Sequence, residues 1–502
     1  MSEYTELQNG SDIRGIALDG VPGEIPNLGK EKVHRLTKGF LLWLSTKTRR
    51  DFNELTISVG SDSRVTGPEF RDTIAKTLST YGVHVLDAGL ASTPAMFMST
   101  IFKEYDCDGA IMVTASHLPY NRNGFKYFDK NGGLNKSDII EIIKYAESEG
   151  AMESMIPSGI TKVGKIEESD LMSTYSKHLR DLIIKGVDNT ADKSKPLAGL
   201  HIVVDAGNGG GGFFATNVLE PLGADISGSQ FLEPDGMFPN HQPNPENKDA
   251  MKSICKAVTK HNADLGLIFD TDVDRSAAVD KNGNEISRNG IVALAAALIA
   301  DKYPGTTVVT DSITSDELTV FLEKNLGLKH LRFKRGYRNV INKSLELNES
   351  KIDSQLAIET SGHAAYKENY FLDDGAYLAT KIVIAAANLA SQGKSIDSLI
   401  ANLAEPLEAM EVRIPIEEPN YKEYGDRVLK NLEEWAVANA DKLGCTIVEP
   451  NYEGIRLAFD NDKVKGWCLL RKSLHDPILP LNIEANTVGG CKVIKKYIDK
   501  IL

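Results

Sequence analysis

The sequence predicts an α/β protein, with three related mixed α/β domains followed by a smaller α+β C-terminal domain. Three observations carry this. Short apolar, strand-like runs recur in pairs, at residues 56–59 and 111–113, 202–204 and 267–269, and 308–309 and 356–358. Members of a pair stand roughly 50–65 residues apart, a separation expected of internal repeats. Helical patterns rich in Ala and Leu, such as 291–300 and 381–389, alternate with the strands and favour parallel or mixed sheets with crossover helices. Towards the C-terminus the character changes: residues 410–416 alternate, 421–440 are helical and 467–470 read again as strand. The boundaries that follow are 1–168, 169–286, 287–405 and 406–502. The polar, aperiodic stretch 188–196 is the expected linker, inside the entry segment of the second domain.

A chain of 502 residues exceeds one ordinary core and implies several domains. Hydrophobic residues at 41% and charged residues at 25% are ordinary for a globular protein, and no apolar run reaches the roughly 20 residues that span a bilayer. No membrane partner is expected, and the first residues lack basic and apolar segments, so the expected location is cytoplasmic. A net charge of −13 argues against nucleic acid, whose phosphates demand a basic face. It leaves room for a small anionic metabolite held by a local Arg and Lys cluster. The five cysteines are scattered and never form a Cys-x-x-Cys pair, which suggests neither a disulfide framework nor a zinc site.

The chemistry concentrates at strand ends. The apolar run 109–113 empties into Thr114-Ala115-Ser116-His117, so Ser116 is presented at the carboxyl edge of a sheet, where open α/β folds collect ligands. A serine after a strand often caps a turn; here His117 and Lys126 flank it, and a phosphoseryl group needs nearby cations. The run 265–269 leads into Asp270-Thr271-Asp272-Val273-Asp274-Arg275, three carboxylates at alternate positions. A solvated acidic turn is the plainer alternative, but hard oxygens spaced in this way suit Mg²⁺, and the Gly and Glu of an EF-hand loop are absent. The glycine run 207–212 lacks the Lys-Ser/Thr of a P-loop and the spacing of a dinucleotide fingerprint, and reads as a strand-to-helix turn needing small residues.

Six motifs stand in a telling order: Ser11-Asp12-Ile13-Arg14-Gly15, Gly60-Ser61-Asp62-Ser63-Arg64, the Ser116 run, the Asp270 run, Glu359-Thr360-Ser361-Gly362-His363, and Arg471-Lys472-Ser473. In this order, over almost the whole chain, the sequence resembles the α-D-phosphohexomutases, in their phosphomannomutase/phosphoglucomutase branch. The resemblance implies four domains around a central active-site cleft, the C-terminal one mobile. It also implies reversible phosphoryl transfer between the 1- and 6-positions of glucose or mannose phosphates, through phosphorylated Ser116 and a hexose 1,6-bisphosphate that also serves as activator. Asp270, Asp272, Asp274 and a phosphoserine oxygen would hold Mg²⁺, and Arg275 would steady the phosphoryl group.

Arg14, His117, Lys126 and His363 complete the expected catalytic set. Arg14 is assigned to electrostatic stabilisation, because a guanidinium is a poor base, and Lys126, its pKa lowered by neighbours, to acid/base work, with His363 as competitor. Glu359, Ser361 and His363 match the loop that holds sugar hydroxyls, and Lys334-Arg335-Gly336-Tyr337 lies where the two sugar ends are distinguished, Arg335 and Tyr337 being the expected contacts. Arg471, Ser473 and His475 are expected to clamp the phosphate that is not transferred. The chain departs from the family pattern at Leu118, Tyr337, Leu474, His475 and Asp476. Phosphoglucosamine mutase, a catalytically inactive phosphosugar-binding protein and a simple phosphatase are the alternatives. The partner is a small phosphosugar and the expected state a monomer or homodimer.

Overall fold

The strand Gly109–Val113 is buried at all five positions, as is Leu265–Phe269, and an apolar run buried on both faces is what a central strand of a covered sheet requires. Both are central strands in the computed structural model, which describes residues 3–148, 162–188, 190, 192–473 and 477–502. The chain divides into two compact units, one of residues 1–298 and 361–399, the other of residues 299–360 and 400–502.

In the first unit an eight-stranded mixed sheet holds Thr56–Ser61 at its centre, parallel to both His84–Leu90 and Gly109–Val113. Arg122–Asp129 runs antiparallel to Gly109–Val113 and pairs on its other side with Asp12–Ile16. The helix Lys30–Thr48 covers this sheet, burying Val33, Leu36, Phe40, Leu41 and Leu44, with Phe40 stacked on Tyr127 at 4.8 Å. A second, four-stranded sheet pairs Leu265–Phe269 in parallel with Ile202–Asp205 and antiparallel with Ser276–Asp280. The helix Lys248–His261 packs on it. Its bounds follow from the sequence: the Asn247 side chain accepts from the Asp249 and Ala250 amides, and Asn262 closes the other end in the left-handed conformation. The hairpin of Ala364–Tyr366 and Leu372–Asp373 leads into the helix Gly375–Ala390, capped by Asp374.

The second unit has two parts. Thr307–Thr310 pairs in parallel with Lys329–Arg332 and with Ser354–Ile358, and the helix Tyr337–Glu349 connects the last two. The C-terminal part is a five-stranded antiparallel sheet, entered by Glu408–Pro415, with the helices Tyr421–Leu443 and Gly490–Ile498 enclosing its core. The expected helices and strands at 291–300, 381–389, 421–440 and 467–470 lie within observed ones, commonly extended by a few residues, and the expected strand 410–416 is observed as Glu408–Pro415, one residue short of its expected end. The expected linker 188–196 lies partly outside the described residues. The five cysteines are unpaired, and among the described residues no helix is long and apolar enough to cross a membrane.

Candidate active site

Pairing of Val113 with Phe125 makes residues 114–121 the connection of a hairpin, and Ser116 sits in it with φ of +50°. A left-handed non-glycine residue costs about 1–2 kcal/mol, and buried hydrogen bonds offset it. The Ser116 amide donates to Thr114 Oγ1 at 2.8 Å, and Thr114 Oγ1 donates to Asp62 Oδ2 at 2.6 Å. Arg64, 1% exposed, donates to the carbonyls of Ser116, Leu118, Pro119 and Arg122. One guanidinium therefore sets four carbonyls of the serine loop.

Asp270 to Arg275 form the turn between Phe269 and Ser276, with Val273 at φ +67°. Asp270, Asp272 and Asp274 are buried, and each places a carboxylate oxygen within 4.8 Å of the others. The glycine run supports the turn from beneath: the Gly210 amide donates to the Thr271 carbonyl at 2.7 Å, and a Cβ on Gly209 would stand 2.7 Å from Thr271 Cα. Thr93 holds Asp272 from the other side through its amide, at 2.8 Å, and its hydroxyl, at 2.5 Å.

Burial, then repulsion from Asp274, pushes the Asp270 carboxyl well above its ordinary range. Burial also opposes ionisation of Asp274, yet Lys126, His363 and Arg275 outweigh it and hold that carboxyl well below the usual range. Asp272 Oδ1 and Asp274 Oδ1 are buried without a hydrogen-bond partner among the described residues. Crowded carboxylates with orphaned oxygens fit a small divalent cation that takes hard oxygen ligands.

Ser116 Oγ donates to Asp270 Oδ2 at 3.1 Å and accepts from Arg275 Nη2 at 3.0 Å. Arg275 is itself fixed by Asp270, by Asn244 Oδ1 at 3.2 Å and by His117 Nδ1 at 2.7 Å. Burial and then Arg275 keep the His117 pKa well below its usual value, so His117 is a neutral acceptor here and not the cation expected beside a phosphoserine. Gln242 donates to the His117 carbonyl at 2.7 Å. Lys126 pairs with Asp272 at 3.0 Å and with Asp274. His363 donates through Nδ1 to Asp373 at 2.6 Å and lies 3.8 Å from Asp274. Burial lowers its pKa, but Asp373 and Asp274 prevail and push it up to about 9. Arg14 pairs with Asp12 at 2.7 Å and reaches the Thr114 carbonyl at 3.4 Å. Ser361 Oγ is buried in the turn before His363, without a hydrogen-bond partner among the described residues.

The second unit carries the other expected residues. Glu359 accepts the Gly336 amide at 2.6 Å, and this ties the Glu359 loop to the Arg335–Tyr337 turn, where Gly336 takes φ +111° and Tyr337 opens a helix. Arg335 Nε faces Asp311 at 3.6 Å. Arg471 follows Lys465–Leu470, buried, its Nε without a hydrogen-bond partner among the described residues, and burial lowers its pKa. The Ser473 amide donates to the Ile478 carbonyl at 3.1 Å. His475, with Leu474 and Asp476, lies outside the described residues. The sequence reading assigned no role to Arg64, Thr93, Gln242, Asn244, Asp373 or Glu453. Their partners are carbonyls and side chains distant in sequence, and spacing does not reveal such contacts.

Family profiles described as phosphoglucomutase/phosphomannomutase α/β/α domains I, II and III match residues 6–151, 173–283 and 287–407. A phosphoglucomutase of Neisseria gonorrhoeae is 29% identical over 89% of this chain and 88% of its own length. A phosphomannomutase/phosphoglucomutase of Pseudomonas syringae pv. tomato is 29% identical over 87% and 84%. Among solved structures, a phosphoglucomutase/phosphomannomutase family protein of Burkholderia thailandensis superposes with a TM-score of 0.79 at 24% identity, covering 100% of this chain and 97% of that one. The chain belongs to the phosphoglucomutase/phosphomannomutase family of α-D-phosphohexomutases.

Proposed function

We propose that this phosphohexomutase moves a phosphoryl group reversibly between the 1- and 6-positions of glucose and mannose phosphates, with Ser116 as the carrier. The observation that supports it most is the placement of Ser116 Oγ, 3.0 Å from Arg275 Nη2 and 3.1 Å from Asp270 Oδ2, in a buried loop held by Arg64. Phosphorylated Ser116 donates to the free sugar hydroxyl and a hexose 1,6-bisphosphate results. The intermediate turns around, its other phosphate returns to Ser116, and free bisphosphate charges the serine as activator. Mg²⁺ held by Asp270, Asp272, Asp274 and a phosphoserine oxygen would supply positive charge against the moving group.

The chain's own residues orient and balance the transfer. Arg275 steadies the serine oxygen, and the neutral His117 fixes the Arg275 guanidinium. His363 and Lys126, each paired with buried carboxylates, handle the proton of the accepting hydroxyl at Nε2 and Nζ. Arg14 adds electrostatic stabilisation. Glu359, Ser361 and Tyr337 contact sugar hydroxyls, while Arg335, Arg471, Ser473 and His475 take the phosphate that stays in place. Intact-mass analysis of freshly purified protein tests the core of this reading: a phosphorylated fraction is expected, absent in Ser116→Ala, and a label on another residue would overturn it. Initial rates with glucose, mannose and glucosamine 1-phosphates under one bisphosphate activator test the substrate. A preference for the glucosamine phosphate would replace the sugar assignment and leave the carrier standing.

A further inference from the structure

Glu453 lies in the turn between Cys445–Ile447 and Ile455–Asp460, a segment with no periodicity to draw attention to it. Its carboxylate is nonetheless placed with care. Oε2 accepts from the Ser312 hydroxyl and, at 3.2 Å, from the Arg335 amide, while Oε1 stands 4.0 Å from Arg471 Nη1. The side chains of Glu453 and Arg471 are 11% and 8% exposed. Tyr452 beside it packs on Phe333 with ring centroids 4.9 Å apart, and Lys343 lies over both rings, so the turn is fixed on the 333–336 loop from two sides. The Gly454 φ of +61° and the close approach of its backbone to Arg471 leave the turn little room to shift; a Cβ there would meet the Leu470 carbonyl at 2.2 Å.

Arg471 contrasts with this well-held acid. Among the described residues its Nε has no hydrogen-bond partner and its Nη1 reaches only the Lys472 carbonyl, at 3.4 Å. A buried guanidinium so sparsely satisfied is open to an anion. Glu453 is too far to bond it, yet near enough to be felt through a medium with little water. The carboxylate partly neutralises the cation without occupying its donors.

From this arrangement we infer that Glu453 weakens the hold of Arg471 on a phosphate dianion by standing beside the bound anion as a fixed like charge. The inference rests on the reading of Arg471 as a phosphate clamp. It also gives that reading a physical sense. An intermediate that must turn around has to release one phosphate and present the other, so a clamp of full strength would trap it. The carboxylate sets the hold at a level that can let go, and the Ser312 hydroxyl and Arg335 amide keep it from closing onto Arg471 and blocking the site.

Inorganic phosphate, titrated calorimetrically into the full-length protein, is the probe, with Arg471→Ala identifying the heat that belongs to this clamp. Glu453→Gln keeps the acceptor oxygen for Ser312 and Arg335 and removes the charge. Phosphate affinity is expected to tighten about three- to tenfold, and in turnover KM for the sugar phosphate and kcat are expected to fall together. Ser312→Ala frees the carboxylate to move towards Arg471 and should loosen phosphate binding, the opposite direction; it decides the matter if the glutamine variant does not fold. Unchanged or weaker binding in folded Glu453→Gln, or unchanged binding in Ser312→Ala, overturns the inference while the clamp stands. No Arg471-dependent phosphate binding in the unaltered protein overturns both.

Discussion

Arg64 performs its work through backbone atoms. Fully buried, it spends its donors on four carbonyls of the serine loop and leans over the Phe238 ring at 5.3 Å, so the position of Ser116 Oγ depends on a side chain that never touches it. A catalytic group displaced by an ångström commonly loses about 10²-fold in rate. Arg64→Ala is therefore expected to lower kcat about 100-fold while KM stays within about threefold, read by steady-state kinetics on a variant shown to be folded by circular dichroism. Lysine at this position should rescue little, because one ammonium cannot fork to four acceptors. Asp272→Asn is expected to give the same split for a different reason: its carboxylate matters when charge moves, so kcat should fall by about 10²-fold with substrate affinity nearly unchanged. The two residues differ in how they could be read. Asp272 stood out in the sequence because its carboxylate alternates with two others at the end of an apolar strand. Arg64 was visible only as part of an ordered motif, and nothing in its own spacing says that its partners are carbonyls some fifty residues away.

At the scale of elements, strand ends were easier to read than the surfaces supporting them. Residues 109–113 and 265–269 are strands with those bounds because both are apolar on both faces. The glycine run was read correctly as needing small residues, but the reason is tertiary: the Gly209 and Gly210 backbones press against Thr271 in the acidic turn. Gly209→Ala should push that turn out of place, so metal affinity is expected to fall at least tenfold in a metal titration while the fold persists. In the C-terminal sheet, Glu484 lies on the strand Ile478–Ala485 and accepts from Trp467 Nε1 at 3.0 Å, and Arg456 lies over the Trp467 ring, 3.6 Å from its centre. Burial, then Glu317, pushes the Glu484 carboxyl up to about 7. A raised acid binds its proton more tightly in the folded state, so the associated stability is full below the ordinary value of about 4.5 and is lost as pH rises through 7. Glu484→Gln should thus gain about 2–3 kcal/mol relative to the unaltered chain between pH 5 and pH 8. Urea unfolding at the two pH values checks this, and a pH-independent difference would refute it.

For the whole molecule, composition bounded the class of protein without locating its chemistry. A net charge of −13 describes the overall balance, and that excess says nothing of the few acids that are buried together. Those few couple the site to the stability of the first unit. Asp270, Asp272 and Asp274 come to one point because a sheet strand, a glycine run and Thr93 each hold a part of the turn, and without a cation their mutual repulsion opposes the folded state. A cation bound only by the folded chain stabilises it by mass action, about 2.7 kcal/mol at one hundred times the dissociation constant. Mg²⁺ at such a concentration is expected to raise the melting temperature of chelator-treated protein by about 3–6 °C, with Ca²⁺, which prefers more ligands at longer distance, giving less. The shift should vanish in Asp272→Asn, although that variant, relieved of one buried charge, should melt no lower than the metal-free unaltered protein. Differential scanning calorimetry with chelator, Mg²⁺ and Ca²⁺ supplies all the comparisons. An equal rise in Asp272→Asn would place the stabilising ion elsewhere and separate the acidic turn from the metal chemistry.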